Sequence, residues 1–218
     1  FFIVPEMLAP KGTVNFVNVR DDYFVVVPPD IDLTFSEVRR AFLRFVVDPL
    51  VIKHAKDVAA ITDDVKKVMD ARRAVDPSQS PDVFLTISRS LVAAIDAKQN
   101  EAARVRITTA QARERIDSLK TDAEKRTISD ELRRLAAEFK DEAILQMYED
   151  YEKGSLLVFY FAEHLDGMED SGFDIAASMR EMLLSFDATK ETGRPEQFAA
   201  ERKRALAARE AKKNAPAT

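Results

Sequence analysis

From Thr34 to the end of the chain, apolar residues recur at three- and four-residue spacings, and that periodicity decides the architecture more than any other feature. Thr34 and Glu37 are spaced as a capping box, so a helix starts there and runs to about Val47. Asp48-Pro49 then starts a second helix or kinks the first, because proline suits a first turn and not an interior. The spacing continues through Val51, Ala55, Val58, Ile61, Val65 and Val68 up to a loop at Asp76-Pro77-Ser78-Gln79-Ser80-Pro81. A helix from Asp82 to about Lys98 carries Phe84, Ile87, Leu91, Val92 and Ile95. The charge-rich stretch from Glu101 to Tyr151 reads as two or three helices, broken near Lys120-Thr121-Asp122. Gly154 resets the chain. Ser155 to Leu165 and Asp174 to Phe186 are two more helices, joined by a loop from Gly167 to Gly172. Gly193-Arg194-Pro195 opens a final polar helix, with fraying expected from Asn214.

The first 30 residues obey a different period. Val14, Phe16 and Val19 mark one β-rich run, Tyr23 to Val27 form a second, and Arg20-Asp21-Asp22 lies between them as a turn. Pro28-Pro29 ends the second run. Strands followed by helices predict a mostly helical α+β fold, with no parallel sheet. The expected organisation is one domain over residues 1–190, with a polar helix and tail over 191–218.

Composition removes several function classes. The 218 residues are 46% apolar and 33% charged, enough for a core and a solvated surface. A net charge of −5, without a basic block, argues against nucleic acid as a partner. The basic run from Arg202 to Lys213 alternates with Ala and Glu, as a solvated helix face does. No cysteine is present, so disulfides and thiolate chemistry are out of reach. No stretch approaches the roughly 20 apolar residues of a membrane span. The chain opens on Phe1-Phe2-Ile3-Val4 without Met, the pattern expected of a piece whose N-terminus, with any export signal, has been removed. The compartment stays open.

Chemistry-bearing residues are sparse. The two histidines, His54 near Asp57 and His164 near Glu163 and Asp166, lack the spacing of a helical metal-ligand set. The five glycines are isolated, so there is no phosphate loop and no nucleophile elbow. Ser88 and Ser90 have no histidine near them in sequence. Tyr148, Tyr151, Phe159, Tyr160 and Phe161 are spaced as a core with its rim. No catalytic residue, cofactor or metal is assigned.

One segment stands apart: Arg40-Ala41-Phe42-Leu43-Arg44-Phe45-Val46-Val47-Asp48-Pro49-Leu50. On a helix, Phe35, Val38, Phe42, Phe45 and Val46 share one side. Arg40 and Arg44 fall on the other, flanked by Leu43, Val47 and Val51. A helix apolar on two sides is sandwiched between layers, and two arginines there stand at an opening, in a cleft, or paired with acids. The segment resembles the active-site helix of gluzincin-type zinc metallopeptidases, in which His-Glu-x-x-His precedes Phe-x-Asn-Pro-Leu. The resemblance places Arg40 and Arg44 at the ligand positions and Ala41 at that of the general base. It places Arg89, in Ile87-Ser88-Arg89-Ser90-Leu91, at the third ligand, and the preceding hairpin beside an extended substrate. Arginine stays protonated and only donates, so it cannot ligate zinc. Without metal and base there is no activated water. The resemblance therefore implies a catalytically inactive, zincin-like domain, with Arg40 and Arg44 free to bind an anion or a peptide carboxylate and a peptide or protein as partner. Two other readings compete. A structural helical module of a larger exported protein would have no such cleft and would dock its C-terminal helix elsewhere. A hydrolase built on His54 and His164 would bring those two side chains together.

Overall fold

The computed structural model describes residues 2–11, 14–20, 22–29, 36–171 and 174–214. Strands β1 (Phe2–Pro5), β2 (Asn15–Val19) and β3 (Asp22–Val27) form a sheet of order β1-β3-β2. The expected hairpin is β2–β3, with Phe16 opposite Val25 and Val19 opposite Asp22. Arg20, in its turn, has φ +58°, the left-handed conformation that hairpin turns demand. The opening residues depart from expectation: β1 pairs with β3 in parallel, Phe2 beside Phe24. Because β2 makes the reversal, β1 and β3 run the same way without the helical crossover that usually joins parallel strands.

Helices follow as the mostly helical α+β reading requires: α1 (Ser36–Lys53), α2 (Ala55–Val75), α3 (Val83–Ser118), α4 (Asp122–Glu152), α5 (Val158–Ser171), α6 (Ile175–Leu184), α7 (Ala188–Glu191) and α8 (Ala199–Asn214), with a 3-10 turn over Arg194–Phe198. Helix α1 does not stop at Val47. It continues through Pro49, and the break falls at His54, which precedes α2. Pro49 leaves the Phe45 carbonyl without its helical donor, but burial of Val47 and Val51 holds the helix on both sides of it. Likewise α3 runs past Lys98 to Ser118, since no Gly or Pro interrupts it. The break near Lys120-Thr121-Asp122 is where α3 gives way to α4, and Thr121 with Glu124 forms a reciprocal capping box. Helix α5 continues through Gly167 to Ser171, where a loop was expected. Gly154, at φ +102°, ends the α4 turn in a conformation that L side chains avoid. The expected Thr34 cap lies outside the described residues.

Two cores result. The larger joins Leu43, Val47 and Val51 of α1 to Ile87, Leu91 and Ile95 of α3, Ile144 and Met147 of α4, Leu157 and Phe161 near α5, and Met179, Met182 and Leu183 of α6. The smaller sets Tyr23, Val25 and Val27 of β3 against Val38 and Ala41 of α1, with Phe45 beside them. Helix α1 is thus sandwiched between the sheet and α3, as its two apolar sides require. Within the polar segment, α8 lies along α4, with Ala205 buried and Arg204 gripping Asp141 at 2.7 and 2.8 Å. Phe198 stacks on Phe159 at 4.9 Å.

Candidate functional site

The positions singled out in α1 and α3 part company. Arg40 points between α3 and α4 and uses all three nitrogens of its guanidinium on acids. Its Nε donates to Asp96 at 2.7 Å, and Nη1 and Nη2 donate to the two oxygens of Asp150 at 2.7 and 2.6 Å. Asp96 also accepts from Arg39 Nε at 2.5 Å and from Gln146 Nε2 at 2.8 Å. The Asp96 side chain is 0% exposed and that of Asp150 5%. Burial by itself would lower the Arg40 pKa, but the hydrogen bonds and charges of Asp150 and Asp96 outweigh it and hold the group above its ordinary value. Three of its five N–H donors are taken by two buried carboxylates, which also match its charge. Arg40 lines a pocket with Glu37, Asn100, Glu142 and Asp150, with its charge already matched by the two aspartates.

Ala41, at the position of the missing base, lies at 0% exposure under the sheet and faces no opening. Arg89 is at the far end of α4, where Nη1 donates to the Lys153 carbonyl at 3.4 Å beside Gly154. Arg40, Arg44 and Arg89 share no partner, so the three positions do not make one site.

Arg44 is different. It lies 5.6 Å from the ring centroid of Phe16, and among the described residues its guanidinium has no hydrogen bond or ion pair. It lines a groove of about 300 Å³ with Arg20, Asp22, Tyr23, Phe45, Asp48, Pro49 and Ile52. Asp48 is engaged by the Ser88 hydroxyl, which donates to it across the α1–α3 interface. Burial raises the Tyr23 phenol, with Arg44 acting in the opposite sense. Among the described residues β2 has β3 on one side and nothing on the other, and the groove lies at the β2–β3 turn where that open strand ends.

The remaining candidates are structural. Ser90 Oγ accepts from the Leu157 amide at 3.0 Å. His54 Nδ1 lies 3.0 Å from Asp57, whose other oxygen is 3.6 Å from Arg180. His164 meets Tyr160 edge-on at 4.6 Å, and burial lowers its pKa. The two histidines share no partner, and among the described residues no three His, Asp or Glu side chains are grouped to hold a metal. No helix among the described residues is long and apolar enough to cross a membrane.

The residues that sequence reasoning missed are Asp96 and Asp150. Asp96 did leave a trace: it is the lone charge in the apolar run Leu91 to Ala97, where a charge is costly without a partner. Asp150 sits among other acids in Glu149-Asp150-Tyr151-Glu152, and nothing marks it. Compared with protein-family models, with curated proteins and with solved structures, the chain matches none.

Proposed function

We propose that this chain is a non-catalytic protein-binding domain that takes an extended peptide segment along the free edge of β2, with a carboxylate of that segment on Arg44. The observation that carries this reading is the placement of Arg44: a half-buried guanidinium on an aromatic ring of β2, with no hydrogen bond or ion pair among the described residues although Asp22 and Asp48 line the same groove. Strand addition draws affinity from main-chain hydrogen bonds and specificity from flanking pockets. The groove supplies such a pocket. A zincin-like descent rests on the register of Arg40, Ala41, Arg44 and Pro49 in the sequence alone, because Arg40, Arg44 and Arg89 take separate partners.

The test uses extended Val/Thr-rich octapeptides, with a free or an amidated C-terminus, and hydrogen exchange at β2. Binding of the free acid protects amides within Asn15–Val19, the amide form binds less well, and Arg44→Gln removes the difference. Protection that falls elsewhere refutes the proposal. So does one tightly held zinc per chain by elemental mass spectrometry, because the domain would then be an enzyme candidate.

A further inference from the structure

A cleft of about 370 Å³ opens where the C-terminal parts of α2 and α4 meet the 3-10 turn and the start of α8. Its volume falls in the range of small-molecule sites. Two tyrosines one turn apart on α4, Tyr148 and Tyr151, line it together with Val68 and Ala71 of α2. Each ring carries an arginine from another helix. Arg72 of α2 lies 5.6 Å from the Tyr151 centroid, and Arg202 of α8 lies 4.8 Å from that of Tyr148. The wall formed by the turn is fixed in place, because the Tyr148 hydroxyl donates to the Pro195 carbonyl and Phe198 stacks on Phe159.

Of the charged side chains that line the cleft, Arg72 is paired with Glu152, and Glu191 with Arg194 at 3.1 Å. Arg202 and Glu196 are left, and among the described residues neither has a hydrogen bond or an ion pair. Both stand beside the same phenol: burial raises the Tyr148 pKa, Arg202 pulls it down and Glu196 pushes it up. The Tyr151 hydroxyl also has no hydrogen bond among the described residues, which leaves a further donor at the floor. One unspent charge of each sign beside an apolar floor sets the chemistry of the occupant. An anion alone would face Glu196, and a cation alone would face Arg202. We propose that the cleft binds a free α-amino acid with an apolar side chain. Its carboxylate rests on Arg202, its ammonium on Glu196, and its side chain on Val68, Ala71 and the tyrosine rings. Arg202 and Glu196 are open to solvent, so each contributes modestly and the affinity is about millimolar. The cleft shares no lining residue with the Arg44 groove, and the two readings stand apart.

The aromatic NMR shifts of Tyr148 and Tyr151 report binding of three probes. These are leucine, isoamylamine, which lacks the carboxylate, and isocaproate, which lacks the ammonium. Wild type binds leucine at least about fivefold more tightly than either, the upper end for a charge pair open to solvent. Arg202→Gln lowers leucine affinity to about that of isoamylamine and leaves isoamylamine binding unchanged. Glu196→Gln lowers it to about that of isocaproate and leaves isocaproate binding unchanged. Arg44→Gln alters none of the three, so the groove reading and this one fail separately. The wild-type comparison alone tests the ligand class, whether or not a variant disturbs the cleft. A control that binds wild type as tightly as leucine overturns the proposal. So does the lack of a saturable shift at either tyrosine up to about 10 mM leucine, or a preference for leucine that survives both Gln variants.

Discussion

Removing the Arg40 guanidinium is the most severe single change the structure offers outside the apolar core. In Arg40→Ala, Asp150 loses both of its bonds to Nη1 and Nη2, and Asp96 keeps Arg39 and Gln146. Two carboxylates at 0% and 5% side-chain exposure then carry charge with one partner removed. Breaking a buried pair in this way costs about 3–5 kcal/mol, because the remaining charge has given up its hydration. For a chain of this length that lowers Tm by roughly 6–20 °C at about 2–4 °C per kcal/mol. Asp150→Ala leaves Arg40 with Asp96 and costs less. The double variant relieves the stranded charge, so the pair couples by about 2–3 kcal/mol in a double-mutant cycle. Urea unfolding followed by circular dichroism measures all three. A cost under about 1 kcal/mol for Arg40→Ala, or strict additivity, refutes the claim that Arg40 is committed to the interior. It would reopen Arg40 as a ligand-facing group.

Three further outcomes follow from single positions. Gly154→Ala places a Cβ 2.5 Å from Gln79 Oε1 and 3.3 Å from Arg89 Nη1 at φ +102°, so it costs about 1–3 kcal/mol in the same urea assay; a neutral result means the turn relaxes. Burial, and then the Asp187 charge, push the Glu191 carboxyl up to about 7 from 4.5. The folded state therefore holds this proton more tightly than the unfolded chain, and stability falls as pH rises from about 4.5 through 7. Glu191→Gln flattens that slope and stabilises at pH 8; destabilisation at pH 8 means that the 3.1 Å pair with Arg194 governs the site. His164 is shifted the other way, below 6.5 by burial with Glu181 opposing. Stability is full above the unfolded value of about 6.5 and declines as pH falls below it. An imidazole NMR titration midpoint at or above 6.5 contradicts this.

Much of the fold was legible from period alone. Two β-rich runs around the polar Arg20-Asp21-Asp22 turn marked the β2–β3 hairpin, and the Asp76 to Pro81 and Lys120 to Asp122 breaks were visible as turn and capping chemistry. Such features depend on neighbours within a few residues, which the sequence displays directly. Pro49 and Gly167 were misleading for the same reason: local propensity argues for a break at each, and packing or helix continuity overrode it. The two sides of α1 were readable in part: Val38 and Phe45 meet the sheet and Leu43, Val47 and Val51 meet the larger core, whereas Phe42 and Val46, grouped with the first side, are exposed.

The site was less legible. That Arg40 and Arg44 project away from Phe42 follows from a helix at 100° per residue. Which of them is closed by acids depends on Asp96 and Asp150, which lie 56 and 110 residues away in sequence. The sequence by itself determined the α+β order, the hairpin, the chief helix breaks and the inability of arginine to hold zinc, because each follows from local geometry or from one side chain's chemistry. Only the tertiary structure decided that Arg40 is held in a buried network and that Arg44 lies over Phe16 of an edge strand. Those outcomes depend on which distant segments meet, and a residue's charge or hydropathy carries no record of its partner.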